Sequence, residues 1–276
     1  MFIIAEIGIN HSGDVEQAKK LITMAKGCGA DAVKFQKRTV AAVYHKKFLD
    51  SPRKSPWGKT QREQKHGLEF SWTEYDCINR FCKQIDMPWF GSAWDIEALH
   101  FLETYNVPYH KIASAMITNA GFLHKVAEIG KKTFISTAMC ELDDVIEAVA
   151  IFKKYETPIV LMHCVGLYPA PDDFCNIKMV QRYKGMFPDV EIGYSGHETG
   201  LYPTIAAMTL GAKYIERHIT LDRAGYGSDQ AASIEAPGLA KLVEVGKIIE
   251  KCLGDGKKSF GEAEHEVARK LRYWEK

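Results

Sequence analysis

The chain has 276 residues, 46% of them hydrophobic, and a formal net charge of +1. That is enough chain for two small domains or one large α/β barrel, which takes about 250 residues. Near-neutral charge without a long basic run points away from nucleic acid and anionic membrane as partners, so any attraction for anions must be local.

The chain opens on "MFIIAEIGIN", whose apolar run is too short for a signal peptide and lacks a basic leader. No stretch approaches the roughly 20 apolar residues of a membrane helix. The seven cysteines are scattered, with no CxxC pair. Such usage suits a reducing, cytoplasmic setting better than a disulfide framework.

Along the chain, short apolar runs alternate with helical periods. "FIIAEIGI" (2–9) reads as a strand, and "DVEQAKKLITMAKGCG" as a helix ending in glycine. "DAVKFQ" (31–36) is the second strand. Residues 37–70 follow, polar and basic with no clear period. Ser71 reads as the N-cap of the helix "WTEYDCINRFCKQI", where packing is the expected role of Cys77 and Cys82. Six further strands are expected: "PWFGSA", "YHKIAS", "KTFISTA", "PIVLMHCV", "EIGYSGH" and "KYIERHIT", each followed by a helical stretch.

Eight strand–helix units with mostly short connections imply a parallel sheet, and eight close naturally into a (β/α)8 barrel. An open doubly wound sheet is the alternative. Its first turn would be "GINHSGD", which lacks the GxGxxG nucleotide fingerprint. The expected division is a catalytic barrel over residues 1–254 and a helical, linker-like tail over 255–276.

In such a barrel the strands' C-terminal ends build one site. There the sequence places Glu6, Asn10, His11, Lys34, Gln36, Ser92, Lys111, Ser114, His163, Tyr168, Ser195, His197 and His218, with Asp229 in the loop beyond. His197 and His218 end neighbouring strands. They are either two polar mouth residues or a pair of imidazoles that hold Mn2+, Zn2+ or Fe2+ with open positions for oxygen ligands. A barrel metallohydrolase would often carry HxH on its first strand, where this chain reads "INHSG". Lys34 and Lys111 lie inside apolar strands that a barrel buries on both faces. Either can form a Schiff base, or both can bind an anion; the surrounding serines favour a phosphate and carboxylate cradle. Glu6 would orient a lysine or transfer a proton.

The motifs "AEIGINHSGD", "AVKFQ", "YHKIAS", "ISTAM", "HCVGLYPAP", "IGYSGHE" and "ERHITLDRAGYGSDQAASIEAPGL" together resemble the sialic acid synthase family. The resemblance spans residue 5 to about residue 254. It implies condensation of phosphoenolpyruvate with an aldose or N-acyl amino sugar to give a nonulosonic acid. It also implies a homo-oligomer and a divalent metal, usually Mn2+, on His197 and His218 that polarises the sugar aldehyde. Lys111, Ser92, Ser114 and Ser195 match phosphoenolpyruvate ligands, with Lys34 beside them. Gln36, Tyr168 and Asp229 match the sugar site, and Glu6 matches the proton-transfer glutamate.

Three departures from the family pattern stand out. Gly166 replaces an asparagine near the phosphate, and Ala138 replaces a glycine. The chain ends at "EVARKLRYWEK", which resembles the linker to a C-terminal antifreeze-like domain, a domain that in the family reaches the N-acetyl sugar of a neighbouring subunit. The expectation is that this domain is lacking. Residues 37–70 then read either as a solvated, partly mobile loop or as a lid over the sugar. Two other functions stay open: synthesis of a different 3-deoxy-ulosonic acid, and a non-catalytic barrel that binds a sugar or partner.

Overall fold

In the computed structural model, which describes residues 1–275, the chain forms a closed barrel of eight parallel strands wrapped by helices. Its strands are β1 (Phe2–Gly8), β2 (Ala32–Lys37), β5 (Trp89–Ala93), β6 (His110–Ile112), β7 (Thr133–Ser136), β8 (Ile159–Cys164), β9 (Glu191–Gly196) and β10 (Tyr214–His218). The remaining two, β3 (Pro52–Ser55) and β4 (Gly58–Thr60), form a separate antiparallel hairpin. Around the barrel the order is β1, β10, β9, β8, β7, β6, β5, β2, so each strand pairs with the next barrel strand in the chain and β10 closes on β1.

The first unit shows how the sequence sets these elements. Asp14 caps the helix Val15–Cys28 by accepting from the backbone N–H groups of Glu16 and Gln17. Ala18, Leu21, Ile22 and Ala25 fall at spacings of three and four and are buried against the sheet. Gly29 ends the helix at φ 85°, a left-handed conformation that costs a residue without Cβ nothing. The chain then re-enters the barrel as β2.

Residues 37–70 are not a featureless loop. They contain two short helical turns, the β3–β4 hairpin and the helix Gln61–Leu68, whose start is fixed by a Thr60–Glu63 capping box. Elements of three or four residues are too short to carry a hydrophobic period, and this helix is mostly polar, burying only Gln64 and Leu68. The segment is tied to the loop after β10: Trp57 meets the Tyr226 ring edge-on at 6.0 Å between centroids, and Gln64 Nε2 donates to the Tyr226 hydroxyl at 3.3 Å.

The closing helix Ala236–Leu253 packs on the barrel through Leu239, Leu242 and Val243, whereas the helix Glu262–Leu271 buries no residue. The expected tail over 255–276 is described as far as residue 275; residue 276 lies outside the described residues. No helix among the described residues is long and apolar enough to cross a membrane.

Candidate active site

Alternation along the strands decides which side chains enter the barrel. A strand turns successive residues to opposite faces, so Lys34 and Gln36, Glu216 and His218, and Ser195 and His197 point inward as pairs. They meet in a cavity of about 230 Å³ at the strands' C-terminal ends. Of the residues expected at the mouth, Glu6, Lys34, Gln36, Ser92, Lys111, Ser114, Tyr168, Ser195, His197 and His218 all line it. Asp229 lines an adjoining hollow and faces the same site: its Oδ2 lies 3.6 Å from His218 Nδ1.

Three expected mouth residues turn elsewhere. His163 is adjacent to the inward Cys164, so alternation sends it outward, where its Nε2 meets the Cys175 carbonyl at 2.8 Å. Asn10 lies past the end of β1 and donates to the Ile219 carbonyl and the Ser233 hydroxyl. His11 stacks on Phe70 at 4.0 Å between centroids, and its Nδ1 accepts from the Gly13 N–H at 3.0 Å. All three are buried structural groups.

The floor of the cavity is a cluster of four buried ionisable groups. Lys34 Nζ lies 2.9 Å from Glu6 Oε2 and 3.6 Å from Glu216 Oε1, and it donates to Ser92 Oγ at 2.9 Å. Glu6 Oε1 accepts from Gln36 Nε2 at 2.9 Å. Lys111 donates to Ser136 Oγ, but its nearest carboxylate, Glu216, is 3.9 Å away. Burial pulls both ammonium groups toward neutrality, with opposite net results. For Lys34 the Glu216 and Glu6 charges outweigh burial and the pKa rises. For Lys111 burial wins, helped by Lys34, against Glu216, and the pKa falls. Glu216 is itself buried, yet Lys111 and Lys34 hold its pKa below the usual carboxylate value.

Glu216 was not among the expected site residues. It precedes His218 by two positions on β10, so the same alternation that sends His218 inward sends Glu216 with it. That was the signal available in "YIERHIT". Ser136 and Cys164, at the ends of β7 and β8, enter the cavity for the same reason.

Above this floor the two imidazoles face each other at 5.5 Å between ring centroids. Tyr168 stacks on His197 at 4.0 Å and meets His218 edge-on. His197 Nδ1 contacts the Val165 carbonyl, which can only accept, so Nδ1 carries the hydrogen and Nε2 presents its lone pair to the cavity. At present that lone pair meets the Tyr168 hydroxyl at 2.8 Å. Burial, then the neighbouring His218, lowers the His197 pKa to about 3, which keeps the ring neutral. His218 Nδ1 is buried and has no hydrogen-bond partner among the described residues. Gly8, at φ 55°, permits this packing: a Cβ there would sit 3.2 Å from His218 Cε1 and Nδ1. No group of three or more His, Cys, Asp or Glu gathers around an ion site among the described residues. The protein thus offers two imidazole nitrogens and leaves further positions to oxygen ligands, a donor set that fits a divalent ion with open coordination.

The two single-residue departures are neighbours in space. A Cβ on Gly166 would meet Met139 Cγ at 3.0 Å and Ala138 Cβ at 3.6 Å. Met139, at φ 57° and largely exposed, occupies the room that a longer side chain at 166 would need. A larger hollow of about 520 Å³ lies outside the barrel over Lys37, Phe70, Trp72 and Phe101, away from these convergent groups.

Comparison with known proteins agrees with this architecture. The NeuB family model matches residues 21–258. N-acetylneuraminate-9-phosphate synthase of Homo sapiens is 40% identical over 98% of this chain and 76% of its own length. N,N'-diacetyllegionaminic acid synthase of Campylobacter jejuni is 34% identical over 95% and 80%. The crystal structure of N-acetylneuraminic acid synthetase from Leptospira borgpetersenii, in complex with citrate, superimposes with a TM-score of 0.87 at 31% identity, covering 99% of this chain and 92% of that one. With a family match across most of the barrel and relatives of this similarity over nearly its whole length, the chain belongs to the NeuB family.

Proposed function

We propose that the protein condenses phosphoenolpyruvate with the aldehyde carbon of an aldose or N-acyl amino sugar, forming a nonulosonic acid and releasing phosphate. The observation that carries this reading is Lys111: a buried cation without a close counter-ion, in a cavity lined by serine hydroxyls and roofed by two imidazoles. Such a group is set to receive an anion. The relatives above are named as synthases of acids of this class, which supports the same chemistry.

In this reading Lys111, with Ser92, Ser114 and Ser195, holds the anionic groups of phosphoenolpyruvate. C3 of phosphoenolpyruvate attacks the aldehyde carbon, water adds at C2, and phosphate departs by C–O cleavage. Glu6 Oε2 is close to Lys34 but makes no aligned hydrogen bond, so it retains a lone pair that can take and return the proton of the added water. Lys34 and Gln36 hold that carboxylate in place. His197 Nε2 and His218 would hold a divalent ion, proposed as Mn2+. When bound, the ion supplies Lewis-acid polarisation of the aldehyde oxygen. Gln36, Tyr168 and Asp229 would line the sugar's path.

The test is release of inorganic phosphate from phosphoenolpyruvate on adding aldoses, with Mn2+ present or chelated. His218→Ala should abolish metal-dependent turnover and weaken Mn2+ binding in calorimetry while the melting temperature is retained. Unchanged turnover with full metal occupancy would overturn the assignment.

A second reading rests on the depressed Lys111 pKa, which also suits an amine nucleophile and imine chemistry. Borohydride reduction in the presence of substrate separates the two, and no covalent adduct is expected.

A further inference from the structure

The carboxylate of Asp229 reaches the catalytic site from a loop, not from a strand. It belongs to the stretch 220–232 beyond β10, much of which is exposed, and its Oδ1 accepts from the neighbouring Ser228 hydroxyl at 2.7 Å. Oδ2 nevertheless stands 3.6 Å from His218 Nδ1, and a Cβ on Gly8 would come within 3.4 Å of it. A carboxylate on such a loop keeps one position only if its main chain is tied down. Backbone pairing closes the loop at its base, where the Ile234 N–H donates to the His218 carbonyl at 2.8 Å. A relay from Asn10 carries that tie inward to Asp229.

Asn10 Nδ2 donates to the Ile219 carbonyl at 2.9 Å and to Ser233 Oγ at 2.7 Å, the two residues that flank the loop. Ser233 Oγ in turn donates to the Asp229 carbonyl at 2.7 Å. The direction of this relay is forced. A carbonyl can only accept, so the Ser233 hydrogen goes to Asp229 and the Ser233 lone pair receives the Asn10 N–H. The Ile219 carbonyl likewise requires the nitrogen end of the Asn10 amide. Asn10, Ile219 and Ser233 are all buried. Asn10 itself sits on a fixed turn: its N–H donates to the Ile7 carbonyl at 2.9 Å, and Gln17 Nε2 donates to its carbonyl at 2.5 Å. Its Oδ1 is buried with no hydrogen-bond partner among the described residues. An amide oxygen left unmet in this way is costly, so a space-filling role would favour an apolar side chain. What the amide supplies instead is a pair of N–H groups that clamp both ends of the loop.

We propose that Asn10 is a positioning residue for the acceptor: through Ser233 it fixes the main chain of Asp229, and so keeps that carboxylate beside His218. The proposal rests on the acceptor being an aldose that passes Asp229, as in the function proposed above. Neither Asn10 nor Ser233 lines the cavity or the hollow that Asp229 lines, so both act through Asp229 and not on the substrate.

Asn10→Ala would leave the Ile219 carbonyl unmet as well and can unfold the turn. Ser233→Ala therefore carries the test, because it severs Asn10 from Asp229 and loses only a hydroxyl. It should lower kcat/KM for the aldose about 3- to 10-fold, the size of one neutral hydrogen bond, with KM for phosphoenolpyruvate unchanged. Made on top of Asp229→Ala it should add no further loss, since the carboxylate it positions is gone. A rise in the phosphoenolpyruvate KM as large as the loss on the aldose would overturn the proposal, because it would mark a general distortion of the mouth. So would equal losses with and without the Asp229 carboxylate. Amide hydrogen exchange read by mass spectrometry follows the tie without any substrate. The backbone N–H groups of 220–232 should exchange faster in Ser233→Ala than in the wild type, while those of the barrel strands stay as they were. If no aldose releases phosphate from phosphoenolpyruvate, the proposed reaction falls and exchange decides alone. A faster loop then upholds the positioning of Asp229 by Asn10 and Ser233, and an unchanged loop overturns it.

Discussion

Two buried charge clusters share strand β10 and differ in how completely they are satisfied. Arg217 points outward between Glu216 and His218, and it is fully buried with Glu198. Its Nη1 donates to Glu198 Oε1 at 3.0 Å, to the Gly200 carbonyl at 2.9 Å and to Thr204 Oγ1 at 2.9 Å; Nη2 donates to the Glu198 carbonyl. The Tyr194 hydroxyl donates to Glu198 Oε2 at 2.9 Å, and Thr204 donates to Oε1. The inward cluster is looser. Lys111 and Glu216 stand 3.9 Å apart, and Glu6 Oε2, Glu216 Oε2 and His218 Nδ1 have no hydrogen-bond partner among the described residues, whereas in the outward cluster Arg217 Nε alone lacks one. Buried polar groups that are answered within the protein fix its shape; those left unanswered are costly and persist where a ligand completes them. On one strand, the residue between two site residues belongs to the scaffold.

The largest test of that division is stability. Removing one partner of a satisfied buried pair leaves the other charge stranded, at a cost of about 3–5 kcal/mol. Arg217→Met should lose that much in urea denaturation. Lys111→Met leaves Glu216 with its nearer cation, Lys34, at 3.6 Å, and it should change stability far less. If the two substitutions cost the same, the distinction between scaffold and site fails.

A smaller effect should separate the clusters in ligand binding. Lys111→Ala should weaken phosphoenolpyruvate binding by about 1.5–3 kcal/mol, the worth of one hydrogen bond to a charged group. Calorimetry without the second substrate reads this directly. Unchanged affinity would mean that Lys111 belongs with the scaffold after all.

Much of this organisation can be read from the residues before folding. The alternation of "AVKFQ", "EIGYSGH" and "YIERHIT" with helical periods yields eight units, and parity along each strand assigns inward and outward faces. Its place at the end of a strand is what marks His218 in the sequence; parity adds Glu216, two positions earlier on the same face. Parity also excludes His163, which sits one position from an inward residue. Asn10 and His11 were harder, because they lie beyond the last paired residue of β1, where alternation no longer governs direction. The hollow adjoining the cavity, which Asp229 lines, was least legible. Lys65 and Tyr44 belong to short elements without a period, and they approach Asp229 only through the packing of Trp57 and Gln64 on Tyr226.

His11 gives the comparison its finest test, because it is buried and answered but carries no charge. Its Nδ1 must keep a lone pair to accept the Gly13 N–H, and the ring lies flat on Phe70. Burial, then Arg38, lowers its pKa from 6.5 to about 3. Above pH 6.5 the ring is neutral in both folded and unfolded chains, so it adds no pH dependence. As pH falls below 6.5 the unfolded chain binds a proton that the folded chain refuses, and stability declines until about pH 3. Between pH 7 and pH 5 this one residue should remove about 2 kcal/mol. His11→Phe keeps the stack but cannot titrate. It leaves the Gly13 N–H unpaired and is therefore less stable at pH 7, yet its stability should fall by about 2 kcal/mol less than that of the wild type over the same range. Phosphate release at neutral pH should be unchanged, since His11 faces away from the cavity. Parallel pH profiles for the two proteins would show that the ring is protonated in the fold. A loss of turnover at neutral pH in a still-folded variant would return His11 to the mouth, where the sequence alone had placed it.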